Sequence, residues 1–241
     1  MDDLSIQLYS LRSDKDFEGS FEKLAKIGYT GVEFAGYHNL DAQEMKKLLD
    51  NNGLKAVGTH IGVDKMLNEP EKEIEYNLAV GNKNLIVPYC PIKSKDDTLK
   101  LAEDFNKFGE ICKKYGAVFG YHNHAHEFAL DNGEYLFDIL MDNTSPDLVK
   151  AEIDVFWVAY AGLDVLETLK KYKNRLPLIH LKELENMETR ANVSLGKGII
   201  DFKAIKEQYS DATFIVEQEQ IEEGVDIWES IKIGCDYWNS L

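Results

Sequence analysis

Only three cysteines, Cys90, Cys112 and Cys235, occur in the 241 residues, and none stands at a motif spacing from another. That excludes a disulfide framework and reads as reduced thiols of a cytoplasmic protein. Prolines number five, and no Pro-rich, low-complexity or linker-like stretch divides the chain. Long apolar runs are missing as well. Nothing approaches the roughly 20 residues that span a bilayer, and the acidic start Met1-Asp2-Asp3 has no apolar signal core. Positive charge is scarce: 27 Lys+Arg against 43 Asp+Glu give a formal net charge of -16. This is the opposite of the basic stripe that nucleic acid or an anionic membrane selects. What remains is the composition of an ordinary globular enzyme, 44% hydrophobic and 29% charged. The chain is long enough to bury a large core without staples.

A unit repeats along it. Four times in the first half a helix-like stretch ends at a glycine and an apolar strand follows. Phe17 to Ile27 reaches Gly28, before a strand ending Gly31-Val32-Glu33-Phe34. Asp41 to Asn52 reaches Gly53 before Leu54 to His60, Glu71 to Val80 reaches Gly81 before Asn84 to Tyr89, and Asp96 to Tyr115 reaches Gly116 before Ala117 to His122. Glycine at each of these points suits the left-handed backbone of a helix C-cap. Phe17, Phe21, Leu24 and Ala25 share one helical face, as do Met45, Leu48 and Leu49. Asp41 with Glu44 has the spacing of a capping box. The strands do not alternate cleanly, as expected for a parallel sheet covered by helices. Strands at Leu148 to Asp154, Leu176 to Leu181 and Thr213 to Glu217 and helices at Asp164 to Tyr172, Phe202 to Tyr209 and Val225 to Trp238 continue the pattern. With Leu4 to Tyr9 that makes eight strands, which favours a closed α/β barrel of one domain over residues 1–241 rather than an open doubly wound sheet. Glu183 to Gly198 is the longest polar stretch without a pattern and a candidate mouth loop.

A barrel of this kind carries its chemistry at the C-terminal ends of its strands. Standing there are Glu33, His60, His122, His124, Asp154, His180, Lys182 and Glu217, with His126 and Glu127 just beyond the fifth strand. Five of the six histidines lie in these positions. Imidazoles and carboxylates converging on one cavity suit a single divalent ion, Mn, Co, Zn or Mg. The bland alternative is a set of ion pairs with Lys182 or Arg175, but cations near these positions are too few to serve them all. Glu33 and His60 are candidates to bind a substrate's polar groups or to make structural hydrogen bonds. Trp157 and Phe156 are candidates to wall the pocket, and packing alone also explains them. Lys182 either neutralises negative charge that develops in the site or pairs with Glu183. His126 reads as a loop residue, the glycines of Ser194 to Gly198 lack P-loop spacing, and the pairs Glu222-Glu223 and Lys170-Lys171 read as solvated helix faces.

Seven segments taken together give a sharper indication. They are Ile6-Gln7-Leu8-Tyr9-Ser10-Leu11-Arg12, Gly31-Val32-Glu33-Phe34, Gly120-Tyr121-His122-Asn123-His124 with Glu127-Phe128, Glu152-Ile153-Asp154, Ile179-His180-Leu181-Lys182, Leu195-Gly196-Lys197-Gly198 with Asp201-Phe202, and Ile215-Val216-Glu217. In this order they resemble the xylose isomerase-like TIM barrel superfamily, the sugar phosphate isomerase/epimerase group related to type IV AP endonucleases. The resemblance implies a metal held by Asp154, His180, Glu217 and a fifth-strand residue, either His122 or Glu127. The group's epimerases place a glutamate at that fifth-strand position and use two glutamates on opposite faces of the substrate; His122 here puts the symmetric pair in doubt. The expected function is a metal-dependent isomerase or epimerase of a keto-sugar or sugar phosphate, with proton abstraction beside a metal-polarised carbonyl. Glu217 is the first choice of base, and His124 or Glu127 the next. An inosose dehydratase-like or keto-glycoside lyase is the alternative. A non-catalytic sugar-binding barrel is less favoured. So is a nuclease, because Trp157 stands where the nuclease pattern supplies another histidine. Few basic residues lie among the motifs, which favours an unphosphorylated or keto-sugar substrate. The expected partner is a small sugar, with no nucleic acid or membrane, and a homo-oligomer is compatible with the sequence.

Overall fold

The computed structural model describes residues 3–220 and 224–241; the Glu222-Glu223 pair lies outside them. Gly28, Gly53, Gly81 and Gly116 all have positive φ, 121, 64, 87 and 78°. Each turns the chain from a helix into a strand without the penalty a Cβ would bring. The strands are β1 (Ser5–Gln7), β2 (Gly31–Phe34), β3 (Lys55–His60), β4 (Asn84–Val87), β5 (Val118–His122), β6 (Val149–Asp154), β7 (Leu178–Leu181) and β8 (Thr213–Val216). All pair in parallel, each with its sequence neighbours, and β8 closes on β1 through Ser5 opposite Ile215. The closed barrel expected from the repeat is the observed fold.

Helices ring it. Phe17–Ile27 and Ala42–Asn52 have the expected ends, and the capping box is formed: the Asp41 carboxylate accepts from the Gln43 and Glu44 backbone, and Glu44 accepts from the Asp41 N–H at 2.9 Å. Three short helices, Val63–Asn68, Leu136–Asp142 and Val155–Tyr160, escaped the sequence pattern. The last reads Val-Phe-Trp-Val-Ala-Tyr and has no polar face to give it a helical period. The Glu183 to Gly198 stretch is also better ordered than its composition suggests. It holds a short antiparallel pair, Glu183–Leu184 with Asn192–Val193, and buries Leu184, Val193 and Leu195.

Two apolar layers carry the barrel. The larger lies between strands and helices and includes Phe21, Leu24, Phe105, Phe119 and Trp238, all buried. Truncating one of the phenylalanines to alanine costs about 3–5 kcal/mol through lost transfer energy and the cavity left behind. The smaller layer plugs the barrel interior with Ile86, Leu178 and Ile215, against which Val57 packs. Because inward positions alternate along a strand, the next inward residues toward the mouth are His180 after Leu178 and Glu217 after Ile215. The apolar plug therefore lies directly beneath the polar groups of the site, and only Glu152, in register with Leu178, brings a carboxylate down to its level.

Candidate metal centre and active-site cavity

Register brings the first ligands together. Asp154, the last residue of β6, lies opposite His180 of β7. His122 ends β5, and Glu217 follows β8 directly. One ligand atom from each of His122, Asp154, His180 and Glu217 falls within 4.8 Å of all the others. His122 Nε2 is 3.5 Å from Asp154 Oδ2, and His180 Nδ1 is 3.3 Å from Glu217 Oε2. Two ligands about 2.1 Å from a tetrahedral ion stand about 3.4 Å apart, so the spacing suits coordination.

The hydrogen bonds support the same fit. His122 Nε2 and Asp154 Oδ2 are buried and have no hydrogen-bond partner. The other ring nitrogen of His122 faces the Pro88 carbonyl at 3.3 Å. An N–H there leaves the Nε2 lone pair turned into the cluster. Asp154 divides its oxygens: Oδ1 accepts from the Phe156 and Trp157 N–H groups at 2.8 and 3.3 Å, capping the short helix, while Oδ2 stays free. A divalent cation is what such a donor set accepts.

A second cluster lies around the other edge of His180. His180 Nε2 is 2.7 Å from Glu33 Oε2 and 3.4 Å from Glu152 Oε2, and His60 Nε2 is 2.7 Å from Glu152 Oε2. Gln7 Nε2 donates to the same Glu33 oxygen at 2.8 Å. Here each carboxylate spends an oxygen on a ring nitrogen, so the cluster orients His180, as carboxylates behind metal-binding histidines do. Glu33 thus stands beneath the cavity, and His60 lines it. Gly58 makes room, since a Cβ there would meet Glu33 Oε1.

Electrostatics follow from burial and pairing. Burial, then His180 and His60, push His122 down to about 3, so it is neutral. Burial and then His122 do the same to His124, also about 3. Burial raises Asp154 to about 6. Burial works against the charge on Glu217, but Lys182 and His180 outweigh it and hold the carboxyl well below the usual range. Burial likewise works against Lys182, and Glu217, Asp154 and Glu219 more than compensate. The Lys182 ammonium is buried, 2.9 Å from Glu219, 3.7 Å from Glu217 and 4.0 Å from Asp154, and lies 4.7 Å from the Trp157 ring centre and 5.0 Å from that of Phe156.

Lys182 therefore does not pair with Glu183, the alternative the sequence allowed. Consecutive strand residues point to opposite faces. Glu183 turns into its own loop and accepts from the backbone of Leu184, Gly196 and Ile200 at 3.1, 3.2 and 3.1 Å. Burial pushes its carboxyl up to about 7 against those donors. Glu127 is not in the metal cluster either. It folds back as a buried acceptor for the Tyr121 hydroxyl at 2.6 Å and the His124 N–H at 2.9 Å, with His126 Nδ1 at 3.2 Å. Its role in the structure is to shape the turn that carries His124. Three contributors were not singled out from sequence. Glu152 shares strand parity with Asp154, which was a usable signal; Gln7 and Glu219 are placed by pairing and by the chain's path after β8.

A cavity of about 490 Å³ opens over the mouth cluster, within the range of small-molecule sites. On the β5–β8 side it is lined by His122, His124, Glu217 and Glu219, and on the β1–β4 side by Tyr9, Ala35, His60, Pro88 and Tyr89. A larger cavity, about 680 Å³, lies against Asp3, Thr30, Lys55 and Thr213. These residues sit at strand starts, far from the strand ends that hold the chemistry.

Residues 21–231 match the family model described as xylose isomerase-like TIM barrel. The chain belongs to that family. Within it, the chain is 27% identical to an inosose dehydratase of Clostridium perfringens, over 87% of this chain and 84% of the relative. It superposes with a TM-score of 0.84 and 27% identity on the crystal structure of a sugar phosphate isomerase/epimerase from Parabacteroides distasonis, covering 98% of this chain and 93% of that one. A probable 3-DHS dehydratase from Bacillus anthracis gives a TM-score of 0.79 over 99% of both chains. At 13% identity that likeness concerns the fold alone. The family's enzymes thus include both sugar isomerases or epimerases and a lyase. No helix among the described residues is long and apolar enough to cross a membrane.

Proposed function

We propose that this barrel is a metal-dependent enzyme that removes the proton from the carbon beside the carbonyl of a keto-sugar or keto-cyclitol. One observation carries this reading: the unpartnered His122 Nε2 and Asp154 Oδ2 lie in a cluster that opens to a cavity lined by a neutral imidazole, His124, and an ionised carboxylate, Glu217, with the buried Lys182 ammonium just behind it. His122, Asp154, His180 and Glu217 would hold a divalent ion, which when bound would supply polarisation of the substrate carbonyl. The chain's own groups move the protons. Glu217 is the base of first choice because it is ionised and lines the cavity; His124, neutral at working pH, is the second. Lys182, buried just behind the cavity beside Glu217 and Glu219 and flanked by the Trp157 and Phe156 rings, is our choice to neutralise charge on the substrate oxygen or to protonate a leaving hydroxyl.

The arrangement favours elimination over two-base epimerisation. Every carboxylate or imidazole lining the cavity, His60 apart, comes from the β5–β8 half; the facing half supplies Tyr9, Ala35, Pro88 and Tyr89. Inversion by two bases needs one on each face of the carbon, and Glu127, which the sequence offered as a candidate, is tied down elsewhere. In elimination the base takes the C–H proton, that electron pair becomes the new C=C bond, and the neighbouring C–O bond breaks. The oxygen leaves as water with a proton from Lys182. An isomerase or epimerase shares the first step and returns the proton to carbon. The test is incubation of the metal-loaded protein with an inosose and with keto-hexoses in deuterated water. Elimination gives an unsaturated, ultraviolet-absorbing product, whereas isomerisation or epimerisation gives deuterium or rearranged hydrogen at carbon without unsaturation. Neither product with metal bound across the panel sinks the reading.

A further inference from the structure

The mouth of the cavity carries a second feature that proton abstraction does not use. Tyr9 and Tyr89 line it and are 45% and 51% exposed, although they are large and partly apolar. Neither ring is loose. Arg12 packs over Tyr9 with its guanidinium carbon 4.5 Å from the ring centre, donates to the Tyr9 carbonyl at 3.0 Å, and ties it to the Glu219 carbonyl at 2.8 Å. Tyr89 is held edge-on to His124, 5.6 Å between centroids, and beside His126 at 5.0 Å. Two braced aromatic rings that keep a large part of their surface open at a cavity rim form a platform for the C–H face of a sugar.

Charge decides what kind of sugar. No lysine or arginine lines the cavity among the described residues. Lys182, just behind it, is shared among Asp154, Glu217 and Glu219. Those three carboxylates outnumber the one ammonium they share, and Glu33 and Glu152 add further carboxylates behind His180. A phosphate would arrive with close to two negative charges and meet the Glu217 and Glu219 carboxylates, while the one cation at the rim, Arg12, already spends both terminal nitrogens on the Tyr9 and Glu219 carbonyls.

We infer that the substrate is a neutral, unphosphorylated glycoside: the reacting ring sits over the mouth cluster and a second sugar unit lies against Tyr9 and Tyr89. This rests on the proposed sugar chemistry of the site, and binding separates the two. Calorimetric titration of the manganese-loaded protein with glucose, cellobiose and glucose 6-phosphate needs no turnover. Cellobiose is expected to bind about tenfold tighter than glucose, and glucose 6-phosphate at least about tenfold weaker. The Tyr9→Ala/Tyr89→Ala double variant should bring the cellobiose-to-glucose ratio close to one, and Tyr9→Phe/Tyr89→Phe should keep it. Phosphate-bearing sugar binding as well as glucose, an unchanged ratio in the alanine variant, or no saccharide binding at all overturns the inference. Correct binding order without hydrogen exchange on any keto form would instead count against the reaction and leave the glycoside preference standing.

Discussion

His180 belongs to two clusters built from the same kinds of residue. Toward the mouth it joins His122, Asp154 and Glu217; toward the floor it joins Glu33, His60 and Glu152. The mouth cluster leaves His122 Nε2 and Asp154 Oδ2 without partners and opens to a cavity. In the floor cluster the rings of His60 and His180 lie 2.7 Å from carboxylate oxygens. The difference teaches that ligand-like residues in proximity do not by themselves make a metal site. What separates the clusters is that the mouth keeps one ring nitrogen, His122 Nε2, without a hydrogen-bond partner, whereas the floor leaves only carboxylate oxygens, Glu33 Oε1 and Glu152 Oε1, without one. A histidine whose outer nitrogen is claimed by a carboxylate presents its inner nitrogen as a better ligand.

The sharpest break of this comparison is removal of mouth ligands. Asp154→Ala and His180→Ala should each abolish stoichiometric metal, read by elemental analysis of dialysed protein; full occupancy in both would place the ion elsewhere. Next comes Glu217→Gln, which should retain weakened metal binding and lose about 10²–10⁴-fold in turnover. Near-normal rates with metal bound would pass the base role to His124. The floor cluster should matter less. Glu152→Gln is expected to lower metal affinity about 10–100-fold without eliminating it, and complete loss of metal would make Glu152 a ligand rather than a support.

Two smaller effects concern the surroundings. The folded-state pKa of His124 is depressed to about 3 from an ordinary 6.5. Between those values the unfolded chain binds a proton that the folded chain refuses, so this residue's contribution to stability is present above about pH 6.5 and is lost as pH falls toward 3. His124→Gln should therefore flatten the acid side of a stability–pH curve measured by urea unfolding. An unchanged slope would show that the ring is already solvated. Glu183→Gln replaces one of the two carboxylate oxygens that three backbone donors of the mouth loop share with an NH2 group that cannot accept. It should cost about 2 kcal/mol, or roughly 4–8 °C in Tm for a chain of this size. Calorimetry checks this.

Much of this was legible in sequence because it depends on local rules. Gly28, Gly53, Gly81 and Gly116 mark helix ends by a backbone requirement that few other residues meet, and strand ends follow from them. Asp154, His180 and Glu217 are visible because a charge at the end of an apolar strand is costly without a purpose. Less legible was anything set by what the chain meets after it leaves the strand. Glu127 lies five residues past His122, and only the fold shows that it turns back to Tyr121 and the His124 N–H. Glu219 pairs with Lys182 because of the path after β8, which no periodicity records. The helix Val155–Tyr160 was hidden for another reason: with nearly all of it buried, it has no amphipathic contrast to detect.

The ammonium of Lys182 resting 4.7 Å from the Trp157 ring centre has an optical consequence. Indole emission shifts in colour with the electric field across the ring. The other two tryptophans lie on the closing helix, Trp228 bonded to Asp14 and Trp238 buried beneath it. Trp157 alone therefore has a charge of the site at its face. Any ion or substrate that draws Lys182 away or adds charge beside it changes the field that this indole senses. The molecule thus carries a built-in spectroscopic gauge of its own occupancy, readable without a label.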